Sequence, residues 1–242
     1  MYSGILLKKL SVQSSSQNKI ELATGIALLI HVAGLIGMIW ADKQWFARMT
    51  PLNLLLMLFL IIWIQENKNK AFYLFFAGAS LIGLFTEVIG VNTGMLFGNY
   101  SYGTILGIKI AGVPIIIGLN WFVVLYCAVA TLNYFNQYFI RNNKTEKRNT
   151  LLSGPIDLYL VIAGALLATF FDWIMEPIAV SLGFWTWAGD GQIPIFNYLT
   201  WFCVSILILS LFRLTKFRPE NIFAVRLFLI QLIFFILLRV FL

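Results

Sequence analysis

Seven apolar stretches, separated by short polar or glycine-rich segments, organise the chain: roughly 22–40, 51–64, 71–90, 113–139, 155–182, 197–212 and 222–241. Runs near 20 apolar residues predict helices that cross a bilayer. The second run is short and is expected to borrow from its flanks. Before the first run lies a polar, basic segment, MYSGILLKKLSVQSSSQNK, which reads as a tail over residues 1–21. No small-x-small cleavage site follows the first run, so it is kept as a membrane helix. The expected fold is all-α: one polytopic membrane domain of about seven transmembrane helices.

Composition agrees. Of 242 residues, 60% are hydrophobic and 11% charged, with a mean hydropathy of +0.87; a soluble domain is usually about 45–50% apolar. The net charge of +7 follows from topology. With the N-terminus cytoplasmic, Lys43, Arg48, Lys109 and Arg239 fall outside and the other thirteen of the 17 Lys and Arg fall inside. That asymmetry obeys the positive-inside rule, and nucleic acid is not among the expected partners. Cys127 and Cys203 show no metal or disulfide spacing and are expected as two buried thiols. His31 reads as a packed histidine.

Three acids break the apolar pattern. Asp172 and Glu176 stand one turn apart in FFDWIMEPIAVSLGFWTW, so they share a helix face; Glu87 lies near the end of the third run. A mid-membrane acid costs about 2.5–3.5 kcal/mol on insertion scales. Lys109 is the one basic residue expected within reach. Carboxyls crowded in low dielectric without cations favour the neutral form, and a neutral carboxyl can donate a proton.

The acids also head two similar segments. EVIGVNTG (87–94) matches EPIAVSLG (176–183) at Glu, Ile, Val and Gly; PIIIGLNWF (114–122) matches PIFNYLTWF (194–202) at Pro, Ile, Leu, Trp and Phe. An internal repeat of two pseudo-symmetric helical hairpins is expected, 71–140 and 151–215, with a site at their interface. Gly83 occupies the position equivalent to Asp172. The connections 91–112 and 183–196, rich in Gly, Tyr, Trp and Phe, are expected outside the spans, dipping back where protein satisfies their backbone. Gly94, Gly98 and Gly183 suit turns, Pro177 a kink, and Asp190 a turn.

At these residues the chain resembles CruF-type carotenoid 1,2-hydratases, membrane proteins of carotenoid biosynthesis related to bisanhydrobacterioruberin hydratase. A pattern E-x-x-G-x-x-T-G-x-x-F-G-x-Y-x-Y is met by Glu87, Gly90, Thr93, Gly94, Phe97, Gly98, Tyr100 and Tyr102. D-x-x-x-D-P followed by G-x-W-x-W is met by Asp172, Glu176, Pro177, Gly183, Trp185 and Trp187, with Glu where the family pattern has Asp. P-x-x-N-x-x-x-W is met by Pro194, Asn197 and Trp201.

The resemblance implies hydration of the terminal ψ-end C=C of an acyclic or monocyclic carotenoid, such as lycopene or γ-carotene. Protonation gives a tertiary carbocation, which water captures. Asp172 is the expected proton donor, with Glu87 and Glu176 holding the water and taking its proton. Tyr100, Tyr102, Trp121, Trp185, Trp187 and Trp201 are expected to line the end-group pocket, their ring faces stabilising the cation. Asn92, Asn120 and Asn197 are expected to position water. No cofactor and no metal are expected. Expected partners are the lipid-soluble carotenoid, membrane lipids, water as co-substrate and other enzymes of the carotenoid pathway, in the plasma (inner) membrane. Two rival readings use the same acids: a carotenoid end-group cyclase, which excludes water, and a proton-coupled transporter, which needs polar residues along a whole path. A retinal photoreceptor fails because the seventh run has no lysine for a Schiff base.

Overall fold

The computed structural model describes residues 2–142, 155–215, 217 and 219–242. Lys144, Lys147, Arg148, Lys216 and Arg218, counted above with the inner side, lie outside the described residues.

Helix α1 (Tyr2–Trp40) begins well before its apolar run, so the segment expected as a tail over 1–21 continues the first span as helix. Asp42 then caps α2 (Lys43–Arg48), accepting from the Trp45 N–H at 2.9 Å. One residue later α3 (Thr50–Ile64) starts with Pro51 in its first turn, where a missing N–H costs nothing. At 15 residues α3 is about 22 Å long, short of the bilayer core; the flank it was expected to borrow is the separate helix α2.

Asn69 caps α4 (Lys70–Thr93), accepting from the Phe72 N–H at 3.0 Å. Helices α5 (Ile115–Asn142), α6 (Pro155–Ser181), α7 (Ile195–Arg213) and α8 (Ile222–Phe241) complete the chain. Among the described residues, six helices are long and apolar enough to cross a membrane: α1, α4, α5, α6, α7 and α8. The fold is therefore that of an all-α multi-pass membrane protein. Leu29, Phe59, Phe85, Leu158 and Ile233 stay exposed on their helices, as lipid-facing positions should.

Helix α5 is the axis of the bundle. Of its most apolar window 78% is buried, against 28–50% in the other five. It packs on α3, α4, α6 and α8; α4 lies along α5, and α6 along α7.

The two glycine- and aromatic-rich connections fold as β structure with each other. Strand β1 (Tyr100–Tyr102) pairs antiparallel with β4 (Trp185–Trp187), in the register Tyr100↔Trp187, Ser101↔Thr186 and Tyr102↔Trp185. Side chains alternate across a strand. The four outer aromatics therefore turn inward and are buried, while Ser101 and Thr186 face out with their hydroxyls 3.3 Å apart. Close approach at the strand ends requires a glycine: a Cβ on Gly103 would stand 2.3 Å from the Gly183 carbonyl oxygen, and the Gly103 N–H instead donates to the Phe184 carbonyl at 2.8 Å. Between β1 and α5, β2 (Lys109–Ile110) and β3 (Val113–Pro114) form a hairpin. Its two turn residues, Ala111 and Gly112, both have positive φ, as a type I′ turn demands.

Two expectations change in three dimensions. Cys127 is buried but Cys203 is exposed on α7, because the bundle is thin enough for an apolar helix to keep one face in lipid. Lys109 does not reach the acids; its Nζ donates to the Tyr102 carbonyl at 2.5 Å. His31 is packed as expected, its Nδ1 2.8 Å from the Ala27 carbonyl and its ring edge-on to Phe234. Asp190 closes a turn by accepting from the Gln192 N–H at 3.1 Å.

Candidate active site

Beneath the β1–β4 sheet, between α4, α5, α6 and α7, a small cavity collects Glu87, Asp172 and Glu176 on its walls. Each acid is almost fully buried, at 4%, 1% and 2% exposure. Lining it with them are Tyr100, Tyr102, Asn120, Trp121, Trp185, Trp187, Asn197 and Trp201. Phe97, Ile117 and Met175 complete the wall. Space for a water-sized sphere amounts to about 30 Å³, and one water needs about 10–15 Å³. That is space on the order of two or three waters.

Each glutamate is held by the strand that follows it in sequence. Glu87 takes three donors. Tyr100 Oη–H and Tyr102 Oη–H both donate to Oε2, the latter at 2.8 Å, and the Trp121 indole N–H donates to Oε1 at 3.1 Å. Glu176 takes two indoles on one oxygen: Trp185 Nε1 at 2.7 Å and Trp187 Nε1 at 2.8 Å, both to Oε1. Its Oε2 accepts from no described residue. The inward face of each strand thus lays two aromatic donors onto a carboxyl set in the preceding helix. Burial first, then the neighbouring Glu87 carboxylate, raises both tyrosine phenols above their ordinary range, so they stay protonated donors.

Asp172 is held differently. Asn197 Nδ2 donates to its Oδ2 at 3.0 Å, while Oδ1 is buried with no partner. A buried carboxyl oxygen left unpaired costs about 1–3 kcal/mol, so it calls for a bond to something in the cavity. Across from it, Trp121 and Trp201 stack with centroids 3.8 Å apart and planes at 13°. That stack depends on Gly83, where a Cβ would lie 2.3 Å from the Trp121 ring.

Of the residues singled out in the sequence, eleven line this cavity and Asn92 does not. Asn92 sits five positions past Glu87, about 140° around the helix. It is exposed, and its amide donates to the Val88 carbonyl at 2.8 Å and the Ala111 carbonyl at 2.9 Å, tying α4 to the β2–β3 turn. The aromatics were expected as ring-faced lining; five of them are also hydrogen-bond donors to the glutamates. Met175 was missed, though it stands one turn after Asp172 on the same face. Phe97 was legible as part of its motif, and Ile117 as the position matched to Asn197. Among the described residues no three His, Cys, Asp or Glu are arranged to hold a metal ion.

A search of curated proteins and one of solved structures each returned no match to this chain. A family model described as carotenoid biosynthesis protein does match, over residues 48–242, which takes in α3 through α8 and every side chain of the cavity. Carrying that match over four fifths of its length, the chain belongs to the carotenoid biosynthesis protein family and has a role in that biosynthesis.

Proposed function

We propose that the chain is a carotenoid 1,2-hydratase, adding water to a terminal ψ-end double bond at the cavity of Glu87, Asp172 and Glu176. One observation carries the reading: Asp172 Oδ1 is buried and unpartnered beside a cavity sized for water, while Glu87 and Glu176 accept five donors between them. Donors favour the charged form of a carboxyl. Asp172, with a single amide donor, is the group that holds a proton.

In the reaction, the Asp172 O–H bond breaks and its proton forms a C–H bond at the less substituted alkene carbon. The π electrons leave a tertiary cation on the dimethyl carbon. Water closes a C–O bond there, and the surplus proton passes to Glu176 Oε2. Return of that proton to Asp172 through a cavity water resets the site. The product is a tertiary alcohol, one water heavier than the substrate. Ring faces of the Trp121–Trp201 stack lower the cost of the cation, each such contact contributing about 0.5–2 kcal/mol. Trp185 and Trp187 fix one oxygen of Glu176 and leave the other for water.

A cyclase would use the same acid but exclude water from the cation. Water-sized space bounded by three carboxyls and two amides favours hydration. The matching strand register and the Trp121–Trp201 stack support reading α4–α5 and α6–α7 as duplicated hairpins. The charge asymmetry supports a cytoplasmic N-terminus in the plasma membrane, with the acids towards the outer side.

The test is pigment chromatography of a lycopene-accumulating strain expressing the full chain. A tertiary alcohol supports hydration. A cyclised isomer would point to the cyclase, and unchanged lycopene overturns both.

A further inference from the structure

The acid cavity alone, with about 30 Å³ of water-sized space, is too small to house a whole branched hydrocarbon end. A second cavity of about 380 Å³ lies against it. Its walls come from α1, α2, α3, α5, α6, α8, β4 and the connections carrying Leu106 and Phe184, and are mostly apolar, with Met38, Phe46, Phe171 and Phe234 among them. Four residues line both spaces and form the partition: Ile117, Asn120, Met175 and Trp185. The partition joins an apolar room to a polar one. Asn120, half-buried in it, makes no side-chain hydrogen bond to any described residue.

We infer that the larger cavity is a binding chamber for one isopropylidene end of an acyclic polyene. The end group rests on Met175 and Asn120, and its double bond reaches past this partition to Asp172, which lines the acid cavity alone. This rests on the hydration reading for its chemistry, but not for the location of the chamber. The volume falls at the low end of the roughly 300–1,000 Å³ typical of ligand sites. A whole carotenoid is far too long for it, so the remainder of the chain lies in lipid beside α1–α3, and only one end enters at a time. Asn120 is a positioning residue for the water that meets the cation.

The chamber is tested by thiol protection in the full-length, detergent-solubilised protein carrying Met38→Cys and Asp172→Asn, which binds without turnover. N-Ethylmaleimide is the label and lycopene the ligand. Cys203, exposed on the lipid face of α7, is the internal reference. With lycopene at roughly ten times its Kd, labelling at position 38 should slow roughly tenfold, because only the empty chamber reacts, while Cys203 labels unchanged. No labelling at position 38 without lycopene, or equal labelling with it, overturns the chamber. A second variant, Gly34→Leu, adds bulk to the chamber wall, where a Cβ meets Phe234 at an ordinary 3.6 Å. It should raise KM for lycopene at least roughly fivefold with a smaller change in kcat, and an unchanged KM counts against the chamber. Protection at position 38 by lycopene in the Met38→Cys protein with Asp172 intact, together with no alcohol formed by that protein, would sink the hydratase reading and leave the chamber standing.

Discussion

Two halves of the cavity make a natural comparison, the Glu87 half on α4–β1–α5 and the Glu176 half on α6–β4–α7. Both set a glutamate in a helix and bind it with aromatic donors from the inward face of a three-residue strand, and the two strands pair residue for residue. They then part. In the first half Gly83 leaves a gap that Trp121 fills, and Trp121 becomes the third donor on Glu87. In the second the corresponding place is Asp172, with a free oxygen and an asparagine partner. One half is saturated and closed. The other leaves two carboxyl oxygens, Asp172 Oδ1 and Glu176 Oε2, without a donor among the described residues. A frame of near-matching parts can thus carry chemistry on one side only, because the difference lies in which hydrogen bonds are withheld.

The strongest test of that contrast removes the unsaturated acid. Asp172→Asn keeps shape and the neighbourhood of Asn197 but has no proton to give, and product formation should fall by roughly 10²–10⁴-fold, the usual weight of a general acid. Unchanged yield of alcohol from membranes carrying the variant would break the comparison outright.

Moving the acid to the other half should fail for a steric reason. Gly83→Asp drives a side chain into the Trp121 ring, with overpacking alone worth about 1–3 kcal/mol. A lower melting temperature in detergent and loss of activity are expected. A variant that melts like the parent would mean the two halves are less different than their packing indicates.

Removing single donors sharpens the comparison further. Trp185→Phe leaves Glu176 Oε1 with one indole, whereas Tyr102→Phe leaves Glu87 with a donor on each oxygen. Each lost bond to a buried charge costs about 1.5–3 kcal/mol. The drop in kcat/KM should be larger for Trp185→Phe, by on the order of tenfold; equal or reversed effects would deny the asymmetry of saturation.

The smallest effect concerns alkaline stability. Tyr100 and Tyr102 are held above the ordinary phenol range by burial and Glu87. Unfolded, they lose protons near pH 10, and folded they keep them. The unfolded state then binds fewer protons, so stability is full below about pH 10 and falls as pH rises beyond it. Melting followed from pH 8 to 11 should show that slope, and the double change to Phe should flatten it. Matching changes to Trp185 and Trp187, which do not titrate, should leave the slope alone.

Much of this was legible along the chain. Hydropathy located the membrane helices to within a few residues, except at the N-terminus, where helix runs through the polar segment to Tyr2. The i, i+4 spacing put Asp172 and Glu176 on one face, and the paired motifs drew attention to Glu87, Trp121 and Trp201. Asn92 faces away for a reason the helical period already carries: five positions past Glu87 it lies about 140° around α4, where its amide bonds backbone carbonyls.

By itself the sequence determined what each residue prefers as solvent and which neighbours within a turn share a face, since those follow from local periods of 3.6 and 2. Only the tertiary structure decided that β1 meets β4, that phenols and indoles are donors to the glutamates, that Lys109 bonds a carbonyl, and that one oxygen of Asp172 goes without. Those are pairings between residues far apart in the chain, such as Asn197 with Asp172 and Trp121 with Trp201. Hydrogen bonds and ring stacks are satisfied by whichever groups packing brings within about 3–4 Å, and packing is a property of the whole bundle.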